Sequence, residues 1–379
     1  MKKTHQHRIP NFHLSFLLLL FFAGTCLYAQ KLTVGTYMLK DGGVYTGELS
    51  SGKPHGKGKT TWTNGNSYEG DYVKGRREGN GTMIYSNGEK YEGQWFQDMQ
   101  HGRGIYHALN NNRYEGLWYK GEKEGHGIMY YYNGDRYEGS WKKNKRNGKG
   151  KYFFNKSGAY YDGNWSNDMK EGQGTFDWGD GSKYEGMWHE NVRSGKGTYT
   201  YSDGDVYVGH WKNDIQDGKG IYRFKNGDVY EGDYLIGERT GNGVFTFANG
   251  DKYSGRFFKG EQSGEGTFIW KNGASYKGNW KENKRDGQGT YKWKNGDYYV
   301  GSWKNNLMSG MGAMYYADGT KFKGNFEEGK KNGNGIEIAP DGTRYEGTFK
   351  DDMKNGSFVI YDRNGNQQKK CQYVNDKQK

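Results

Sequence analysis

Seven glutamates occupy one place in a recurring frame, and pairs of carboxylates are the groups that cleave glycosidic bonds. They are Glu69, Glu92, Glu115, Glu138, Glu185, Glu231 and Glu346. Such hydrolysis needs two carboxyl groups held about 5–10 Å apart on either side of a sugar. Lysines, Lys277 and Lys323, take the same place in other copies of the frame. This mixture of signs favours a solvated ladder of charges over a catalytic pair.

Other catalytic and metal-binding patterns are incomplete. Residues 56–60 (GKGKT) resemble a phosphate loop, but the preceding Gly52 is one residue too distant and no helix is predicted to follow. His55, His101 and His126 belong to different copies of the frame, whereas a zinc site needs three or four converging ligands. No serine lies in a G-x-S-x-G sequence. We therefore predict no enzymatic activity, no metal and no cofactor.

Basic residues are the next group that could bind something. The chain has 56 lysines and arginines against 44 acidic residues, and a formal net charge of +12. Two clusters attract anionic surfaces such as lipid headgroups or nucleic acid. Their members are Lys142, Lys143, Lys145, Arg146, Lys281, Lys284 and Arg285. Interspersed acidic residues favour ordinary solvated loops, so we predict no specific nucleic-acid site, while contact with an anionic surface stays open.

All these residues are positioned by one frame that runs along most of the chain. Its leading aromatic residue recurs from Tyr45 to Tyr345 every 23 residues, except for a step of 24 after Tyr137. Counted from this residue, glycine always occupies positions +2 and +11, and position +13 in every copy except at Phe358. A turn glycine closes each copy and is replaced only by Asn111. A fixed period of this length indicates a repeat architecture rather than several globular domains.

The local pattern predicts that each repeat is a β-hairpin. Tyr276, Gly278 and Trp280 have one parity and the polar residues between them have the other, as in a strand with one aromatic and one polar face. Residues 289–293 repeat the pattern in a second strand. Asn295-Gly296 predicts a two-residue turn, because both residues tolerate positive φ. The predicted fold class is all-β, an elongated, solenoid-like twisted antiparallel sheet of 23-residue hairpins.

The tryptophans supply the strongest candidate binding surface. All 12 fall in two columns, four at position +17 and eight at position +4. A long exposed aromatic surface usually marks a binding site, whereas rings that cover one another are core, and both interpretations stay open. We predict an aromatic trough formed by the +4 tryptophans and neighbouring leading tyrosines: Trp95, Trp118, Trp141, Trp165, Trp188, Trp211, Trp280, Trp303, Tyr91, Tyr137, Tyr184 and Tyr207.

The succession YEGxW, then GxG, then an Asn-Gly or Asp-Gly turn resembles the MORN repeat (membrane occupation and recognition nexus). The resemblance covers residues 45–367 in fourteen repeats. It implies an assembly scaffold or a membrane-associated role, and in plants the repeat accompanies phosphatidylinositol phosphate kinases. A protein partner or a membrane surface is thus expected at the trough. The alternatives are a glycan- or cell-wall-binding protein, since exported hairpin repeats rich in Trp and Tyr occur there too, and anionic-phospholipid binding through the basic loops.

The N-terminal residues predict export. Residues 1–29 combine a basic start, an apolar centre at 14–22 and a cleavage site near Ala29, which together are typical of a secretory signal peptide. Cys371 is then the only cysteine, so no internal disulfide is expected. Pairing between chains, and with it a homodimer, stays open.

Incomplete repeats flank the array. Residues 30–44 match the second half of a repeat and predict an N-terminal cap. In residues 368–379, polar Gln368, Lys370 and Gln372 stand where Tyr, Gly and Trp are expected. We therefore predict a polar C-terminal cap whose aromatic face is lost, and whose lysines discourage edge-to-edge pairing.

Overall fold

The computed structural model describes residues 31–379, so the predicted signal peptide lies outside the described residues. These residues form 31 strands of one open antiparallel sheet, in which each strand pairs with the next in the chain. The predicted fold class is confirmed. No helix among residues 31–379 is long and apolar enough to cross a membrane. The strands are Thr33–Met38 (β1), Val44–Ser50 (β2), Lys53–Thr61 (β3), Ser67–Val73 (β4), Arg76–Ile84 (β5), Lys90–Phe96 (β6), Met99–His107 (β7), Arg113–Tyr119 (β8), Glu122–Tyr130 (β9), Arg136–Lys142 (β10), Lys145–Phe153 (β11), Tyr160–Ser166 (β12), Met169–Asp177 (β13), Lys183–His189 (β14), Val192–Thr200 (β15), Val206–Lys212 (β16), Ile215–Arg223 (β17), Val229–Leu235 (β18), Glu238–Thr246 (β19), Lys252–Phe258 (β20), Glu261–Ile269 (β21), Ser275–Lys281 (β22), Lys284–Lys292 (β23), Tyr298–Lys304 (β24), Leu307–Tyr315 (β25), Lys321–Glu327 (β26), Lys330–Ile338 (β27), Arg344–Lys350 (β28), Met353–Tyr361 (β29), Gln367–Val374 (β30) and Lys377–Gln378 (β31).

The tight turn of each hairpin is not where the sequence predicted it. Glu282 and Asn283 join β22 to β23 with φ of 49° and 62°, which is the two-residue turn that suits the twist of a hairpin. The Asn295-Gly296 pair lies instead in the connection between β23 and β24, that is, between repeats. Its three-residue loop, 294–296, is closed by a hydrogen bond from Trp293 N–H to the Asp297 carbonyl (2.9 Å). There Gly296 N–H donates to the Trp293 carbonyl (3.2 Å), and only the glycine of the pair has positive φ. The two-residue Asn-Gly prediction is therefore wrong, because a type I turn followed by a left-handed glycine closes this loop.

A β-bulge explains the strict glycine at position +11. In each hairpin the register shifts just after the +2 glycine, for example between Gly278 and Trp280. The +11 glycine of the partner strand then adopts positive φ, from 57° at Gly241 to 124° at Gly356. A side chain in this conformation would be strained, so only glycine occurs there. Asn111, the one substitute for a turn glycine, has a left-handed φ of 62°, which asparagine tolerates.

The glycines at +2 and +13 lie under a tyrosine ring. Gly278 and Gly289 are paired across the hairpin. A Cβ added to Gly289 would lie 2.3 Å from the Tyr276 hydroxyl and 2.5 Å from its ring. The hydroxyl donates a hydrogen bond to the Asn279 carbonyl (3.0 Å). The bare backbone of the glycine pair is thus the surface on which the leading tyrosine packs.

The longer repeat keeps the register of the array. Its extra residue is absorbed in the loop after β11, where Gly158 N–H donates to the Phe154 carbonyl (2.9 Å). On either side of this loop Tyr152 pairs with Tyr161, as equivalent residues pair elsewhere. An insertion in a connecting loop leaves both faces of the sheet unchanged.

The aromatic face is not lost at the C-terminal end, and that prediction is wrong. A register shift between Ile360 and Tyr361 brings Tyr373, rather than Gln372, opposite Gly356. A shift of one residue exchanges the two faces of a strand. Phe358, which replaces a framework glycine, is 1% exposed and takes the buried place of a leading ring, while Tyr345 is only half-buried.

Candidate functional site

The rings predicted to line an open trough are buried instead. The +4 tryptophans are 4–7% exposed and the leading tyrosines beside them are 0% exposed. Trp188 packs edge-on against Tyr184 (5.2 Å between centroids) and Tyr161 (5.5 Å), and its Nε1–H donates to the Gly174 carbonyl (3.1 Å). Bulges bend the sheet so that its own rings fill the trough. The correction applies to Trp95, Trp118, Trp141, Trp165, Trp188, Trp211, Trp280, Trp303, Tyr91, Tyr137, Tyr184 and Tyr207, which form a single-layer core.

Two of the predicted basic-loop residues also face inward. The Arg146 guanidinium lies 4.2 Å from the centre of the Trp165 ring, and that of Arg285 lies 4.4 Å from the Trp303 ring. Arg146 Nε also lies 3.0 Å from Asp168 Oδ1. These arginines cover the tryptophans by cation–π contact and are not free for an anionic surface. Lys142, Lys143, Lys145, Lys281 and Lys284 are exposed, as predicted.

A lysine takes the same inward place in several repeats. Lys170 Nζ lies 4.0 Å from the Trp188 ring centre and 4.8 Å from that of Phe176. Burial among these rings lowers the pKa of Lys170 to about 8. In these repeats the side chain at position +9, whether arginine or lysine, therefore covers the buried rings.

The accessible part of the aromatic face is a second row of rings that sequence reasoning noticed but did not select. These rings, at positions +15 and +17, are half-buried and contact one another in an unbroken line with centroids 4.5–5.8 Å apart. Strand parity places both rows on one face and does not say which is covered. We call this row the aromatic ribbon: Tyr131, Tyr152, Phe154, Phe176, Trp178, Tyr199, Tyr201, Tyr222, Phe224, Phe245, Phe247, Phe268, Trp270, Tyr291 and Trp293.

The polar face has a groove over the glycine pairs. One cavity of this groove, about 980 Å³, extends across strands β13 to β20. Val208 and Ile221 lie along one wall, Lys196 and His210 along the other, and paired glycines such as Gly209 form the floor. The groove is open and mixed in polarity, and Glu185 and Glu231 of the predicted charge ladder line it.

Six of the seven recurring glutamates are paired with basic neighbours rather than with one another. Lys90 Nζ lies 2.6 Å from Glu92, and Lys183 Nζ lies 2.8 Å from Glu185. These exposed pairs are those expected of a solvated ladder. Within residues 31–379, no three His, Cys, Asp or Glu side chains are grouped so that they could hold a metal ion.

Solved structures give only weak likenesses. The chain is similar to the TCP10c domain of Drosophila melanogaster Sas-4, with 13% identity over 48% of this chain and 100% of that one and a TM-score of 0.26. It is also similar to the TCP10 domain of Danio rerio CPAP in complex with a STIL peptide, with 11% identity over 90% of this chain and 100% of that one and a TM-score of 0.16. Superpositions this poor carry no argument about function. No curated protein sequence matches the chain.

Family membership is clear from the repeat itself. The sequence profile of the MORN repeat matches fourteen consecutive segments that together cover residues 45–158 and 161–367. Their boundaries coincide with the 23-residue frame and with the hairpins of the sheet. The chain therefore belongs to the MORN-repeat family.

Proposed function

We propose that this protein is an exported, non-enzymatic interaction scaffold that binds a protein partner along the aromatic ribbon. The observation that carries the proposal is the unbroken line of half-buried rings from Tyr131 to Trp293. Aromatic residues are enriched in protein interfaces, where a few such side chains supply most of the binding energy. The ribbon is rigid because each ring is held between its neighbours, so little conformational entropy is lost on binding.

The surroundings of the ribbon favour a protein over a membrane or a glycan. Asp135 and Asp205 lie beside it and accept hydrogen bonds from the ribbon hydroxyls of Tyr152 (2.9 Å) and Tyr222 (2.7 Å). These carboxylates are repelled by anionic lipid headgroups, and together with the +9 cations that contact the +15 rings they give the ribbon a mixed charge that suits a protein surface. Adjacent rings are tilted by 37–55° to one another, so they form an uneven row rather than the coplanar platform on which sugars stack. A protein surface can match such an uneven row with its own side chains.

A matched pair of variants on one strand tests the ribbon. Tyr222 and Phe224 belong to the ribbon, whereas Ile221, on the same strand, points to the groove on the other face. The native chain, the double variant Tyr222→Ala/Phe224→Ala and the control Ile221→Ala would each be used to capture ligands from the native cell envelope. We expect one protein to be retained by the native chain and the control but not by the double variant, with the melting curve of each variant showing that it is folded.

Other results would identify the alternative ligands. Binding to anionic vesicles that is lost when Lys142, Lys143 and Lys145 are changed to glutamine would replace the proposal with a lipid-binding function. Binding to a glycan array that the double ribbon variant abolishes would replace the protein partner with a sugar. Retention of the same protein by the double variant would show that the ribbon is not the contact surface.

Export is tested separately. The chain would be recovered from the producing cell by fractionation, and its N-terminal residue determined. We expect it outside the cytoplasm, starting near Gln30. An uncut chain confined to the cytoplasm would contradict this part of the proposal.

A further inference from the structure

Strand β1 is the second half of a hairpin whose first half is absent from the described residues. Gly35 and Tyr37 pair with Gly47 and Tyr45, as the second strand of each repeat pairs with the next repeat. In a complete repeat, that second strand also pairs on its other side with the first strand of its own hairpin. Within residues 31–379 no strand occupies that side of β1. An uncovered edge of this kind is a template for pairing with another chain.

The opposite end of the sheet has the complementary edge. Strand β30 occupies the place of a first strand, with Cys371 opposite Phe358 and Tyr373 opposite Gly356. The short β31 pairs only with Tyr373 and Val374. Along residues 367–371, the part of the chain that the structure describes provides no second-strand partner for β30. This edge therefore lacks the part of a repeat that β1 represents.

We propose that β1 of one copy completes the hairpin of β30 in another copy, so that chains join head to tail. After the register shift, Lys369 takes the leading position of the last repeat, so residues 377–379 fill positions +8 to +10. Residues 33–39 fill positions +11 to +17, since Gly35 pairs with Gly47 as a +13 glycine does. The two segments make up one second strand without overlap. The implied register sets Gly35 opposite Cys371 and Tyr37 opposite Lys369, as Gly289 is set opposite Gly278 within the array.

The charges at the two edges favour this pairing over tail-to-tail contact. Strand β30 carries Lys369 and Lys370, which would lie close to one another if two such edges met. Strand β1 has no charged residue. Its Val34 and Met38 are 81% and 66% exposed at the free edge and gain a neighbouring strand in the joint. Repulsion between two β30 edges therefore disfavours tail-to-tail pairing and leaves the uncharged β1 as the better partner for β30. Because the contact is heterologous, it produces open chains of molecules rather than closed dimers.

A disulfide trap tests the register directly. The full chain would carry Cys26→Ser, so that Cys371 is its only native thiol, together with Gly35→Cys. The paired +2 and +13 positions approach closely enough across the hairpin for a disulfide, and the nearest obstacle to a Cβ at Gly35 is the flexible Leu49 side chain. The control Thr36→Cys is exposed on the same strand but points to the other face. After mild oxidation we expect a ladder of dimers, trimers and higher multiples for Gly35→Cys, with about tenfold less for the control.

Two further measurements decide the result. Adding Cys371→Ser to the Gly35→Cys chain should remove the ladder, because the remaining thiols can form only dimers. The molar mass of the native chain by light scattering should rise with concentration from that of one chain. Equal cross-linking of Gly35→Cys and Thr36→Cys, a product that stops at the dimer, or a native mass fixed at one chain would overturn the proposal. Ribbon variants leave both ends unchanged, so failure of the proposed partner binding is a separate result.

Discussion

At the scale of the residue, the unit of this fold is a tyrosine lying on two glycines. The ring of each leading tyrosine from Tyr45 to Tyr299 is buried although residues 31–379 form only one sheet, because the glycine pair beneath it has no side chains to hold it away. Phe322 and Gly335 show that the hydroxyl is not needed for this packing, since phenylalanine takes the same place with a Cβ clearance of only 2.5 Å. A glycine at a fixed position between two rings leaves bare backbone that a ring can cover.

The close approach predicts a steric cost at position +13. Gly289→Ala should destabilise the fold by about 1–3 kcal/mol, because its methyl group overlaps the Tyr276 ring. Tyr276→Phe should cost only about 1 kcal/mol, the value of the hydroxyl hydrogen bond. Denaturant unfolding measures both. Gly273→Ala is the control, since its Cβ would meet nothing within 4 Å and only the φ of 91° opposes it. A larger loss for the control than for Gly289→Ala would contradict the steric argument.

Tyrosine burial predicts unfolding at alkaline pH. Burial raises the pKa of Tyr276 and Tyr299 to about 12, and it also raises the pKa of the ten leading tyrosines from Tyr45 to Tyr253. In the unfolded chain tyrosine ionises near pH 10. Because the folded pKa is the higher one, the stabilisation is complete below about pH 10 and is lost as pH rises through about 12. Circular dichroism and tyrosinate absorbance followed together should change in one cooperative step. Ionisation of most tyrosines in an intact sheet would contradict this expectation.

At the scale of the element, successive hairpins are held together by side chains in their tight turns. In nine turns an Asp or Asn accepts the main-chain N–H of the +9 residue of the preceding hairpin at 2.7–2.9 Å. Where that residue is arginine and the acceptor is aspartate, the guanidinium binds the turn as well, as Arg146 does with Asp168. Where the +9 residue is an arginine or a lysine, these contacts orient the cation that covers the tryptophan of the next repeat, as Arg146 covers Trp165.

Asp168 separates the contributions of charge and hydrogen bonding in this contact. Asp168→Asn keeps an acceptor for Arg146 N–H and should cost about 1 kcal/mol, since the Asp168 side chain is 44% exposed and solvent screens the ion pair, although Arg146 is largely buried. Asp168→Ala removes the acceptor. It also puts alanine at a φ of 71°, which alanine tolerates less well than Asp or Asn, so a loss of about 2 kcal/mol in stability is expected. Thermal melting of the two variants provides the comparison. Equal losses would mean that the hydrogen bond contributes nothing.

The sequence predicts the hairpins but not the types of their turns. Asn-Gly is the commonest two-residue turn sequence, yet here it occupies the connection between repeats, whereas pairs such as Glu282-Asn283 form the two-residue turns. Glutamate gives no signal for positive φ, so local chemistry alone selected the wrong pair. The register shift at Ile360 could not be predicted for the same reason, because a bulge without glycine requires no particular residue type that the sequence would show.

At the scale of the whole molecule, every strand pair in substantial contact is consecutive in the chain. The core is therefore one layer of rings extended along the array, and within residues 31–379 no second sheet lies behind it. This explains why the sequence predicts the face that carries the candidate site but not the row of rings that stays accessible on it. Sequence parity puts both tryptophan columns on one face, but coverage of the +4 row depends on the bend at each bulge and on the +9 cations. The aromatic ribbon is the row of rings that remains only half-buried.

The two tryptophan rows should respond differently to truncation. Trp188→Ala removes a ring that is 4% exposed and leaves the Gly174 carbonyl without its donor, so a loss of about 3–5 kcal/mol is expected. Trp178→Ala removes a half-buried ribbon ring from a neighbouring strand and should cost roughly half as much or less. Denaturant unfolding compares them, with partner capture measured on the same preparations. A greater stability loss for Trp178→Ala would mean that the rows have been assigned to the wrong roles.

Contacts limited to neighbours predict that a whole repeat can be removed. Deleting residues 207–229 joins Val206 to Tyr230 and keeps the 23-residue frame, so β15 meets a first strand with the same spacing of ring and glycine. Stability in such arrays is close to a sum over repeats and their interfaces, and we expect a folded sheet shortened by about 10 Å, two strand spacings. Deleting residues 207–228 removes one residue fewer and exchanges the faces of the strand that follows, which should unfold the repeats at the junction. Circular dichroism, melting and small-angle scattering of the two deletions measure the difference. Equal damage from both would show that long-range contacts, rather than the frame, hold the array together.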